Sequence, residues 1–119
     1  MGQLADALSV AGGQLSARLR RMLSEPDSKP LRQLLPQSWR FETESESAVL
    51  RLELEGSVTA VPDVTERPDV IVKWTQEELV GVLHAGRSNE TPRATPPNIR
   101  FTSDRGRKAF SLLGTSLGL

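Results

Sequence analysis

Apolar residues near the start of the chain recur at intervals of three or four: Leu4, Leu8, Ala11, Leu15, Leu19 and Met22. That spacing is one stripe of an amphipathic helix. Gly12 and Gly13 interrupt it at about 1 kcal/mol each relative to alanine. The helix therefore either depends on packing or breaks there. Arg18, Arg20 and Arg21 suit the negative end of the helix dipole, and Pro26 turns Glu25 away from helical geometry. A short helical piece is expected over residues 31–35, ending before Pro36.

From Trp39 the period changes to two. Trp39, Phe41 and Thr43 point one way, Arg40 and Glu42 the other. After the polar turn 44–47, Ala48, Leu50, Leu52 and Leu54 alternate with Val49, Arg51, Glu53 and Glu55. Together these segments predict an antiparallel hairpin with one dry face and one wet face. A third short strand fits 58–61, and a fourth follows Pro68-Asp69, with Val70, Val72 and Trp74 inward and Ile71 and Lys73 outward. Thr75-Gln76-Glu77-Glu78 is a capping box. It opens a helix with the stripe Leu79, Val82 and Leu83, and Gly86 is its natural terminator. Residues 87–97 have loop composition. Ile99 and Phe101 mark a last strand. Ser103 or Asp104 caps a final helix carrying Ala109, Phe110, Leu112, Leu113 and Leu117.

This order predicts an α+β fold in one domain, residues 1–119. A helical N-terminal segment spans 1–36, and a mainly antiparallel sheet of about five strands with two helices spans 37–119. With 119 residues and five aromatics, the core is modest. Fifteen acidic residues balance fifteen basic ones, so no nucleic-acid partner is expected from overall charge. The absence of cysteine excludes disulfides, thiolate metal sites and a cysteine nucleophile. No apolar run reaches the roughly 18 residues of a transmembrane segment. The start MGQLADALSV lacks the features of a secretory signal, and a cytoplasmic location is the expectation.

Catalytic equipment is sparse. Gly114-Thr115-Ser116-Leu117-Gly118 matches the letters of a nucleophile elbow, but no acid or histidine follows and the preceding residues read as helix. His84, the single histidine, has no identified partner and sits where a positive charge favours a helix end. Metal-ligand spacings are missing. Asn89-Glu90-Thr91 is read as loop. The reading is therefore no enzyme, no catalytic residues, no metal and no cofactor.

Arg105, Arg107 and Lys108, with Arg100 nearby, form the one basic cluster, placed where the last helix begins. It is either a solvated face or the contact for an anionic group, such as a lipid headgroup or an acidic partner. Trp74, Leu79, Val82, Leu83, Phe101, Phe110, Leu113 and Leu117 either fill a closed core or line a tunnel, and periodicity does not separate these outcomes.

Pro68-Asp69-Val70-Ile71-Val72-Lys73-Trp74-Thr75-Gln76-Glu77-Glu78-Leu79 resembles the strand-to-helix element "A-D-V-x-I-x-hydrophobic-T/S-x-E/D" of the sterol carrier protein type 2 (SCP2-like) domain family. The stretch from Phe101 to Ala109 is similar to the family's "V-x-G-D-x-x-x-A", with Ser103 at the usual glycine. The resemblance implies a five-stranded sheet packed with helices around a hydrophobic tunnel that takes sterols or fatty acyl chains. It further implies that some members are accessory domains. On that resemblance the expected function is non-catalytic binding or carrying of a lipid or other long apolar ligand. The alternative is an accessory subunit that meets a protein partner, or a second copy of itself, through its apolar C-terminal helix.

Overall fold

The computed structural model describes residues 3–62, 67–85 and 98–114. Helix α1 (Gln3–Leu23) runs through both internal glycines without a break. Of the two outcomes open in the sequence, packing prevails. Leu4, Ala7, Leu8, Ala11, Leu15, Leu19 and Leu23 form a continuous buried face, and Gly12 lies close to Leu50 and Val58 of the sheet. Tertiary burial of this stripe outweighs the weak propensity of the glycine pair.

Helix α2 (Lys29–Arg32) begins and ends earlier than the expected 31–35. Pro30 suits the first helical turn, where its missing N–H has no partner to lose, and the chain leaves the helix through turn bonds at Leu34 and Leu35 before Pro36.

Strands β1 (Gln37–Glu42), β2 (Ser47–Leu52) and β3 (Val58–Pro62) form an antiparallel meander. Strand β4 (Val70–Lys73) joins β1 in parallel, and β5 (Asn98–Phe101) pairs antiparallel with β4. The sheet order is β3-β2-β1-β4-β5. The sheet is thus mixed but mostly antiparallel, in an α+β fold. The parallel pairing puts Trp39 beside Val70 and Phe41 beside Val72, so the inward residues of both central strands share one face. Helices α1, α3 (Gln76–Ala85) and α4 (Asp104–Leu113) bury their apolar stripes in the same cluster as that face.

Two strand residues differ from simple alternation. Leu54 is 50% exposed, because the strand ends at Leu52 and the chain turns there. Val49, expected on the wet face, is buried, although it lies outside the main apolar cluster. Its register partners are Arg40 on one side and Val61 on the other, and an inner strand position loses water to both neighbours. The β2–β3 turn uses Gly56 at φ +100°, where a Cβ would come within 2.6 Å of Arg20. The Ser16 hydroxyl donates to the Gly56 carbonyl at 2.7 Å and ties this turn to α1.

The turn between β1 and β2 caps two helices at once. Glu46 accepts from the Leu4 amide in the first turn of α1 at 3.2 Å, and also from the side-chain amide of Gln76. Glu44 accepts from the Gln76 backbone amide at 2.9 Å, and the Thr43 hydroxyl donates to Gln76 Oε1 at 2.7 Å. Carboxylates satisfy free N–H groups there and complement the positive ends of α1 and α3. This acidic turn fixes where the two helices start relative to the sheet.

Candidate functional site: the apolar interior beneath α4

Asp69 organises the entry to β4 and α4. Its carboxylate accepts from the Ser38 amide at 3.0 Å and from the Ser103 hydroxyl at 3.3 Å, while its carbonyl accepts from the Thr102 amide at 3.0 Å. Ser103 is the N-cap of α4, as one of the two expected capping residues, and accepts from the Gly106 amide at 3.0 Å. At Gly106 the helix comes so close to Asp69 that a Cβ would stand 2.3 Å from the Asp69 carbonyl oxygen. The Thr75 hydroxyl likewise caps α3, accepting from the Glu78 amide at 3.3 Å.

These local devices bring most of the expected lining residues together. Trp74, Leu79, Leu83, Phe110 and Leu113 are buried in one apolar cluster, and Val82 packs against it while partly exposed. Phe101 is 40% exposed and meets the cluster through an edge contact with Phe110, ring centroids 5.9 Å apart. Leu117 lies outside the described residues, as do Gly86, the loop 87–97, the Gly114–Gly118 motif beyond its first glycine, and the side chain of His84.

Sequence reasoning missed Trp39 as a site neighbour. Its ring is fully buried and packs edge-on against Phe110 at 5.1 Å, and its indole N–H donates to Gln37 Oε1 at 3.1 Å. The signal was present in the inward position of Trp39 on β1, but the contact requires the parallel β1–β4 pairing. Gln37 and Ser28 are the buried polar residues among the described ones. The interior between sheet and helices is otherwise hydrocarbon and aromatic.

The side chains of the basic cluster have different partners. Arg105 donates to the carbonyls of Leu34 and Pro36 at 3.1 and 3.2 Å and fastens α4 to the start of β1. Arg107 and Lys108 both pair with Asp104, at 2.5 and 3.3 Å. The hydrogen bond from Arg107 is the main cause holding the Asp104 carboxyl below its ordinary value, with Lys108 adding to it. Arg100 lies on β5 opposite Ile71, on the other face of the sheet.

Two surface depressions border these elements. One, of about 360 Å³, is lined by Phe101, Thr102, Ser103, Asp104 and Arg107. The other, of about 230 Å³, is lined by Glu42, Ile71, Lys73, Asn98 and Arg100. In the second, Lys73 and Glu42 already pair at 3.7 Å. No group of acids and histidines suited to a metal ion occurs among the described residues. No helix among them is long and apolar enough to cross a membrane.

The arrangement defines a small α+β domain with an apolar interior roofed by helices. No family model matches the chain, and no curated protein matches it. Among solved structures it is similar to a protein described as UbiJ-SCP2, a ubiquinone synthesis protein, at 18% identity and TM-score 0.47, over 90% of this chain and 89% of that one. It is similar also to apo sterol carrier protein 2 from Yarrowia lipolytica, at 7% identity and TM-score 0.39, over 93% and 95% of the two chains. A variant of the sec-alkyl sulfatase PisA1 matches at 19% identity and TM-score 0.44, over 66% of this chain and 13% of the sulfatase. These are likenesses in the course of the backbone, and they convey nothing about ligand or activity.

Proposed function

We propose that this protein binds a lipid or other long apolar ligand in its interior, without catalysis. One observation carries the reading. Side chains from the β4–α3 connection, α3 and α4 (Trp74, Leu79, Leu83, Phe110 and Leu113) converge in a single apolar cluster. The strand-to-helix pattern that resembles the SCP2-like domain supports it too. In such a site affinity comes from area removed from water, about 0.8 kcal/mol per buried methylene. Discrimination between chain lengths is then soft. Arg107 and Lys108, exposed at the start of α4, are the groups available to an anionic head once they release Asp104.

The accessory-subunit alternative places the apolar stripe of α4 on a partner. Ala109, Phe110 and Leu113 are instead buried in this chain's own core, and Leu112, 45% exposed, stands outside it. Ligand binding is therefore the favoured reading. Native mass spectrometry after gentle purification, with titration of tryptophan emission by fatty acyl, sterol and isoprenoid ligands, tests it. A bound lipid or a saturable emission change is expected. A ligand-free protein with flat titrations for all three classes refutes it.

A further inference from the structure

Strand β5 lies at one edge of the sheet, and its hydrogen-bond phase fixes which of its backbone groups face outward. In an antiparallel pair, alternate residues bond to the neighbouring strand and the residues between them point away from it. The Thr102 amide donates to the Asp69 carbonyl at 3.0 Å, so the bonding phase continues through Arg100 with Ile71 and Asn98 with Lys73. Ile99 and Phe101 therefore turn their N–H and C=O groups away from β4, toward the edge. Among the described residues, none bonds to them there.

The side chains of this edge are sorted by face. Ile99 and Phe101 lie on the helix-covered face, where Ile99 packs against the core and Phe101 is 40% exposed. Asn98 and Arg100 lie on the other face, where they line the depression of about 230 Å³ with Glu42, Ile71 and Lys73. Glu42 is engaged by Arg40 at 2.6 Å and by Lys73 at 3.7 Å. Arg100 has no acidic partner among the described residues.

The edge is guarded against its own copy. Antiparallel pairing of two β5 strands through both bonding residues would set Ile99 opposite Phe101 and two Arg100 side chains face to face, and like charges directly opposite repel. A slip of two residues would oppose Phe101 with Pro97, which has no N–H, or Ile99 with Ser103, which already caps α4. Such an edge rejects a second copy and still keeps its donors and acceptors for a different strand.

From these observations we infer that the β5 edge takes up an extended segment of a partner protein, one that carries an acidic residue between two apolar residues. The segment pairs its backbone with Ile99 and Phe101. Its acidic side chain, on the outer face, meets Arg100, with Lys73 on the adjacent strand adding attraction. Its apolar side chains, on the other face, lie beside Ile99 and cover the exposed part of Phe101. Backbone bonds supply the affinity and the alternating side chains the selectivity. The inference is independent of any ligand in the interior.

The test is selection of random dodecapeptides displayed on phage against the whole protein, followed by synthesis of the strongest binder. An acidic residue flanked by apolar ones is expected to be enriched, and amide exchange at Ile99 and Phe101 is expected to slow when the peptide binds. Arg100→Glu, an exposed change, is expected to weaken the peptide about tenfold, and a lysine in place of the peptide's acidic residue to restore binding to that variant. Methylation of the peptide amide that faces the edge, with the protein unaltered, is expected to weaken binding about fivefold. Failure to enrich such a peptide overturns the inference, as does a Kd unmoved by Arg100→Glu or by the methylation. A dimer in sedimentation velocity that protects the Ile99 and Phe101 amides gives the edge to a second copy and overturns it too. So does Arg100-dependent binding to phosphatidylglycerol vesicles without peptide binding, which gives the basic face to a membrane. None of these results bears on the lipid-binding reading, which stands or falls by its own titrations.

Discussion

Replacing Gly106 by alanine tests how α4 is seated. The added methyl would lie 2.3 Å from the Asp69 carbonyl oxygen, 2.9 Å from its carbonyl carbon and 3.1 Å from its Cβ. An ordinary carbon–oxygen approach is about 3.3 Å, so α4 must retreat from β4 by about 1 Å. The obstacle is backbone, paired with the Thr102 amide and fixed by the Asp69–Ser38 bonds, so it does not yield as a side-chain tip would. Overpacking of this kind costs about 1–3 kcal/mol. Weakening the Ser103–Asp69 and Thr102–Asp69 bonds adds about 1 kcal/mol each if they are lost. Against this, alanine gains about 1 kcal/mol over glycine in a helix. The net expectation is a loss of about 2 kcal/mol, which for a domain of this size lowers Tm by about 8 °C. Urea denaturation should show a lower midpoint with an unchanged slope. A Gly106→Ala protein as stable as the original would refute the close seating of α4 on Asp69.

The two glycines in α1 should respond unequally. A methyl at Gly13 would have nothing within 4 Å of it, so Gly13→Ala should stabilise by up to about 1 kcal/mol, whereas at Gly12 the methyl meets Leu50 at 3.3 Å and Val58 at 3.4 Å and should gain less. Thermal denaturation of both variants checks that order. Glu46→Ala removes an acceptor from the first turn of α1 and from Gln76, and should destabilise by about 1–2 kcal/mol, with faster amide exchange at Leu4 as the local signature. Asp104 has its folded-state pKa depressed, chiefly by its hydrogen bond from Arg107. Its contribution is therefore present above the ordinary aspartate pKa and is lost as pH falls through the lower, folded value. Asp104→Asn should be less stable than the original near neutrality, and the two proteins should converge in acid. A constant difference across that range would contradict the pairing, and NMR titration of the carboxyl reads the depression directly.

Features set by short-range spacing were legible in the sequence. The three-four stripe of α1, the alternation of β1, β2 and β4, the Thr75 cap of α3 and the Ser103 cap of α4 all depend on residues within a few positions of one another. For the same reason five of the eight expected lining residues lie buried in the common cluster, since the inward face of an element is written in its own periodicity.

Tertiary structure decided what joins distant segments. The parallel alignment of β1 with β4 brings Trp39 under Phe110, and the seating of Asp69 beneath Gly106 spans more than thirty residues of chain. Glu44 and Glu46 sit in what reads as an ordinary polar turn, yet they cap two helices, because the sheet carries that turn to both helix starts. Arg105 is a loose cation in the sequence and a fastening of α4 in the fold, and Phe101, apolar by composition, stays partly in water at the sheet edge. Periodicity specifies which side of an element avoids water. Where the element ends up, and what its polar atoms then reach, is set by packing of the whole chain.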